Sequence, residues 1–177
     1  MNSKINLSED EKDCLQELMN VAYGNATAAI TEILDAYAKL SIPKIQIINS
    51  SELKAHLSRE LNLDVEHLVS LQQINGTISG ENMFVIDKQS AINIAYKFGL
   101  SEDEINDNEL LDIVLEITNI LSSSTISKLA EDIDTNVSFS APSIKSLTSI
   151  NQLNNSFISK YEKVIIISTE LKFEDLN

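Results

Sequence analysis

Two sets of side chains with identical spacing stand out in a chain that otherwise offers little reactive chemistry. Asp13, Glu17, Asn20 and Pro43 fall at D-x3-E-x2-N-x22-P, and Asp112, Glu116, Asn119 and Pro142 repeat that spacing ninety-nine positions later without an insertion. A carboxamide offers one acceptor and two donors and carries no net charge. It holds a water in line with a phosphorus atom without competing as a nucleophile, the task of the water-positioning glutamine in GTPases. A nearby glutamate pairs with a cation on a partner and fixes the docking. Neither residue binds phosphate well alone, because an anionic glutamate repels it. Such a row is half a site, and it needs a partner that carries the phosphoryl group and its own metal.

Positions i, i+4 and i+7 of a helix lie on one stripe, so each Asp–Glu–Asn set forms a polar row. A solvated helix face explains one such row equally well. An aspartate near a helix N-terminus also suits the dipole, and a proline stops a helix. The second copy changes the balance, because surface charge is free to change at little cost in stability. Between residues 13–45 and 112–144 the other identities are few: Glu32 and Glu131, Asp35 and Asp134, Ser41 and Ser140, Ile45 and Ile144. The buried positions have drifted among apolar types while the exposed Glu and Asn recur. Folding does not require that, and the register points to duplication with a retained use.

The elements that must carry the rows follow from periodicity. Ser8 and Glu11 form a capping box that opens a helix running to about Ala38. Leu15, Leu18, Ala22, Ala26, Ala29 and Ile33 gather on one face of it, with Asp13, Glu17, Asn20 and Gly24 opposite. Pro43 precedes an extended piece, Ile45 to Ile48, and a short amphipathic helix follows from about Glu52 to Leu61. Leu68 to Ile74 and Thr77 to Ile86 read as a hairpin, with Gly76 and Gly80 at or near its turn. Lys88 to Phe98 reads as a helix.

The second unit opens at Ser101–Glu104 or Asn106–Glu109, both plausible caps, and Leu110, Val114, Ile117 and Leu121 then step by four, three and four. A short segment near Ser143 to Leu153 and an Ile-rich strand, Val164 to Phe173, complete it. It lacks a counterpart to Thr77–Phe98. The expected fold is α+β: one domain over residues 1–177, with a first repeat at about 8–98 and a second at about 105–175. The two units share a mostly antiparallel sheet with pseudo-twofold symmetry, and the two long helices pack side by side on it. Val164–Phe173 is expected as an exposed edge, open to pairing with a second copy in a homodimer.

The totals exclude several alternatives. A net charge of −14, from 13 basic and 27 acidic residues, argues against nucleic acid and anionic lipid as partners. Cys14 is the only cysteine, so neither an intrachain disulfide nor a thiolate cluster is available. His56 is expected on the surface and His67 at a strand start, half-buried; two histidines without a clustered third ligand make a poor zinc site. No Gly-rich phosphate loop occurs. The N-terminal residues lack the apolar run of a signal peptide, and the longest apolar run, Val164 to Ile167, is far too short to span a bilayer. A cytoplasmic location is expected.

With these residues in view, the chain resembles the CheC/CheX/FliY family of phosphatases that act on the phosphorylated chemotaxis regulator CheY. The family signature, Asp or Ser, x3, Glu, x2, Asn, x22, Pro, stands twice in full. Asn20 to Ala26 is similar to the family's Asn-Ile-Gly-x-Gly-Asn-Ala, with Ala22 in place of the first Gly, and Asn75 to Gly80 with Met83 to Ile86 resembles its central hairpin. Two complete copies resemble CheC, or the middle of FliY, more than CheX, and CheC is the nearest likeness. The resemblance implies catalytic Glu17, Asn20, Glu116 and Asn119, supporting Asp13 and Asp112, and motif prolines Pro43 and Pro142. Each Asn would orient the attacking water and each Glu would contact a lysine of CheY. It implies no cofactor of the chain's own, Mg being supplied by the phosphorylated partner, and a CheD-like protein as a further partner. The alternative is a non-catalytic module, or sink, that binds phosphorylated receiver domains.

Overall fold

A computed structural model describes residues 7–34, 37–41, 44–62, 64–77, 79–149, 152–153, 160–168 and 171–174. The elements run α1 (Glu9–Leu34), β1 (Tyr37–Leu40), β2 (Lys44–Asn49), a 3-10 turn, α2 (Leu53–Glu60), β3 (His67–Gly76), β4 (Gly80–Asp87) and α3 (Lys88–Lys97). They continue with α4 (Asp107–Asp132), β5 (Val137–Phe139), β6 (Ser143–Leu147), β7 (Lys163–Ser168) and β8 (Leu171–Glu174). The fold is α+β and every strand pair is antiparallel. Pro43 lies outside the described residues.

The capping box at the start of α1 forms as expected: the Glu11 carboxylate accepts from the Ser8 backbone N–H at 2.7 Å, and the Glu11 N–H donates to the Ser8 hydroxyl. These bonds hold the Glu11 carboxyl below its usual range. The helix stops at Leu34, short of Ala38, because Tyr37–Leu40 is taken up as β1 against β8. Pairing in the ladder overrides helical propensity there. The buried stripe of α1 runs Met19, Ala22, Ala26, Ile30, and Ile33 lies past its end, 50% exposed, which corrects the expected face.

Helix α4 opens on Asn106, whose side chain accepts from the N–H groups of Asn108 and Glu109. Leu110, Val114 and Ile117 are buried in one cluster with Ile30 of α1, Ala91 and Ile94 of α3 and Leu68 of β3. Fully burying side chains of this size stabilises the fold by about 1.5–3 kcal/mol each. By length and composition α4 would also cross a bilayer. Reading runs of consecutive apolar residues misses this, since polar residues interrupt its apolar ones. Its buried positions make it a core helix.

The strands pair across the two halves of the chain. β3 takes β4 on one edge and both β5 and β6 on the other, while β7 pairs with β2 and β8 with β1. The expected single strand Val164–Phe173 is therefore two strands. Among the described residues, the second edges of β7 and β8 have no strand partner. From Phe139 to Ser143 is a step of four residues, but their partners Ile74 and Leu71 are three apart. From Leu40 to Lys44 is again four, against three from Ser168 to Leu171. On β3 this leaves one extra residue between β5 and β6, a local bulge, and the registers of β1–β8 and β2–β7 differ by the same one residue.

A second cluster fills the other side of β3, with Leu53, Val69, Leu147 and Leu153 buried and Ile48, Val164 and Ile166 against them. α2 lies over it. This explains a correction: His56 is buried at 4%, because Leu53, His56 and Leu57 share the inward face of α2. His67 is buried more fully than expected, at 7%.

Gly76 ends β3 at φ +135°, where an added Cβ would meet the Asn136 carbonyl oxygen at 2.4 Å. Only glycine suits this backbone. Gly76→Ala is expected to destabilise the protein by about 1–3 kcal/mol, read as a lowered urea midpoint with unchanged slope. A midpoint equal to wild type would contradict the close approach.

Candidate functional site

The two long helices pack against each other, and each buries a face of small or apolar residues in doing so. Asp13, Glu17 and Asn20 on α1 are all exposed, as are Asp112, Glu116 and Asn119 on α4. Among the described residues, Glu17, Glu116 and Asn20 form no side-chain hydrogen bond or ion pair. Exposed carboxylates and carboxamides without internal partners are available to a partner's groups at no cost in broken bonds. Next to Asn20 on the same helix, Tyr23 is largely covered, and burial pushes its phenol above the ordinary range.

The second row is anchored from beneath. On β3, Ser70 and Gln72 stand in the same phase as Leu68 and Ile74, and all four are buried. The Ser70 hydroxyl donates to the Thr118 hydroxyl at 2.6 Å, which donates to the Val114 carbonyl. One residue along α4, the Gln72 amide nitrogen donates to Asn119 Oδ1 at 3.2 Å and to the Ser140 carbonyl at 3.0 Å. Ser140 is itself latched to β3: its N–H donates to the Gln73 carbonyl, and its hydroxyl accepts from the Gln73 N–H, both at 3.0 Å. Pro142 is half-buried in the break between β5 and β6. It has no N–H to give to a ladder.

On α1 the position of Thr118 is held by Met19, so the first row has no matching hydroxyl. Sequence alone singled out Ser140 only as an identity shared with Ser41, and did not single out Gln72. The signal was there, since two polar residues in the inward phase of an apolar strand need buried partners.

The arrangement presents exposed carboxamides and carboxylates, twice, on one helix pair. The family model for "Chemotaxis phosphatase CheX" matches residues 68–169. This chain belongs to the chemotaxis phosphatase CheX family. The matched span contains Glu116 and Asn119 but not Glu17 and Asn20. The "Flagellar motor switch phosphatase FliY" of Bacillus subtilis (strain 168) is 23% identical over 176 residues, covering 96% of this chain and 44% of the relative. The chain thus spans less than half the length of that curated relative.

Among solved structures, Thermotoga maritima FliY matches with a TM-score of 0.78 at 23% identity, covering 98% of this chain and 88% of that one. A FliM middle domain from Vibrio alginolyticus matches at 0.61 and 15% identity, covering 89% and 85%. At these identities the likenesses establish the fold.

Thr118→Val keeps the shape but leaves the buried Ser70 hydroxyl without its acceptor. We expect a loss of about 1–3 kcal/mol in unfolding free energy, measured by denaturant titration. An unchanged value would show that the Ser70–Thr118 bond does not pin α4 to β3.

Proposed function

We propose that this chain hydrolyses the aspartyl phosphate of a CheY-type response regulator in chemotaxis signalling. The observation that carries the reading is the pair of exposed Glu–Asn sets on two packed helices, in a member of the CheX family. Asn20 and Asn119 each orient a water in line with the phosphorus of a docked regulator. The water oxygen bonds to phosphorus as the bond to the aspartyl oxygen breaks, giving inorganic phosphate and the free carboxylate. Glu17 and Glu116 pair with a lysine of the regulator and fix its approach. Asp13 and Asp112, one turn earlier, support the orientation of those glutamates or of partner groups. The regulator brings the phosphoryl group and the Mg ion that neutralises its charge, so each centre is complete only in the complex. A phosphorylated receiver is the partner, and the net charge of −14 suits a docking surface with positive charge.

The two side chains of each set have separable effects. With both Asn20→Ala and Asn119→Ala in place, regulator decay is expected to fall by about a hundredfold, or to the intrinsic rate, with binding retained. Glu17→Ala with Glu116→Ala is expected to raise KM about tenfold and leave kcat nearly unchanged. Both are measured as phosphate release from a phosphorylated regulator against chain concentration. Full activity in the double asparagine variant would overturn the assignment. Binding without any acceleration by the wild-type chain would leave a sink for phosphorylated receivers.

A further inference from the structure

We infer that Gln72 is a positioning residue for Asn119, and that the break at the motif proline exists to set it. The inference rests on the reading of Asn119 as the water-orienting group. A backbone carbonyl only accepts hydrogen bonds. The side-chain atom of Gln72 that meets the Ser140 carbonyl at 3.0 Å is therefore its nitrogen. That same nitrogen lies 3.2 Å from the Asn119 carboxamide, so the atom Asn119 turns toward it is oxygen. The NH2 group of Asn119 then projects to solvent, and one lone pair of its oxygen stays free for a water. Hydrogen-bond logic alone fixes an orientation that an exposed asparagine would not otherwise keep.

Gln72 bears a cost for this. It is 1% exposed, and its own Oε1 is buried with no hydrogen-bond partner. Flipping the amide would give that oxygen no better environment, because it would face two acceptors. A buried polar side chain with one end unsatisfied is what a site-serving residue looks like, where packing alone would favour an apolar one. Ser140 completes the chain of causes. Its N–H and hydroxyl both engage the Gln73 backbone, and the hydroxyl also donates to the Ala141 carbonyl, which leaves the Ser140 carbonyl turned toward Gln72. It holds that place because the ladder slips by one residue between Phe139 and Ser143, where Pro142 stands. The Asn-x22-Pro spacing thus measures the path from Asn119 along α4 and back to the bulge that supports it.

The two sites differ accordingly. Among the described residues, no hydrogen bond reaches the Asn20 carboxamide, so the α1 site orders its asparagine only on docking while the α4 site holds it ready.

The test uses the full chain. In wild type, side-chain 15N relaxation should put Asn119 nearer the rigid limit of about 0.85 and Asn20 nearer the flexible range below about 0.6. Gln72→Leu should bring Asn119 down toward Asn20. In an Asn20→Ala background, Gln72→Leu or Gln72→Glu should lower kcat about tenfold with KM little changed. In an Asn119→Ala background the same change should have no such effect, whereas a general loosening of the fold would lower both. Equal order parameters for Asn20 and Asn119 in wild type, or equal losses in both backgrounds, would overturn the inference. If the wild-type chain accelerates no decay, the functional reading fails, and the relaxation comparison still decides the role of Gln72.

Discussion

The packing of α1 against α4 is the constraint from which the rest follows. A helix in contact with a second helix and a sheet has one stripe left for solvent. On α1 the contact is made possible by small residues, with Ala22 and Ala26 fully buried; on α4, Ser122 and Thr125 are buried at a cost, since neither hydroxyl has a hydrogen-bond partner. Small side chains let two backbones approach, and close approach leaves each helix only its outward stripe for polar groups. Asp13, Glu17 and Asn20 occupy one stripe, and Asp112, Glu116 and Asn119 the other. The placement of chemistry is thus a by-product of how the core is filled.

Strand pairing makes this arrangement hard to take apart. β3 follows α1 in sequence but pairs with the strands that follow α4, and β7 and β8, late in the chain, pair with those that follow α1. Apart from the β3–β4 hairpin, every ladder among the described residues joins the two halves. The polar links from β3 to α4, through Ser70 and Gln72, lie on this cross-connection, so the support of the second row comes from the first half of the chain. Fold alone does not dictate chemistry. On the proposed reading, the outward Glu–Asn sets are what give the fold a hydrolytic use.

Much of this was legible in the residues. The Ser8–Glu11 box, the stripe Leu110–Val114–Ile117, the hairpin at Gly76 and the helix after Asp87 are each written locally, in caps and periodicities that do not depend on distant partners. Both polar rows could be placed on exposed faces for the same reason. What could not be read depends on long-range contact. Tyr37–Leu40 has enough helical character to extend α1 and becomes a strand only because β8 is beside it. His56 looks like a surface residue until α2 is laid on the second cluster. The role of Gln72 emerges only when β3, α4 and the bulge at Ser140 meet, forty-seven and sixty-eight residues away along the chain.

The central claim is that these helices present unfinished catalytic centres that a phosphorylated receiver completes. The most direct measurement is the lifetime of a phosphorylated CheY-type regulator, with its Mg, as the wild-type chain is raised to saturation. The account predicts that the lifetime shortens with added chain and levels off once every regulator is bound. A lifetime that stays constant, or lengthens, while binding saturates would contradict it.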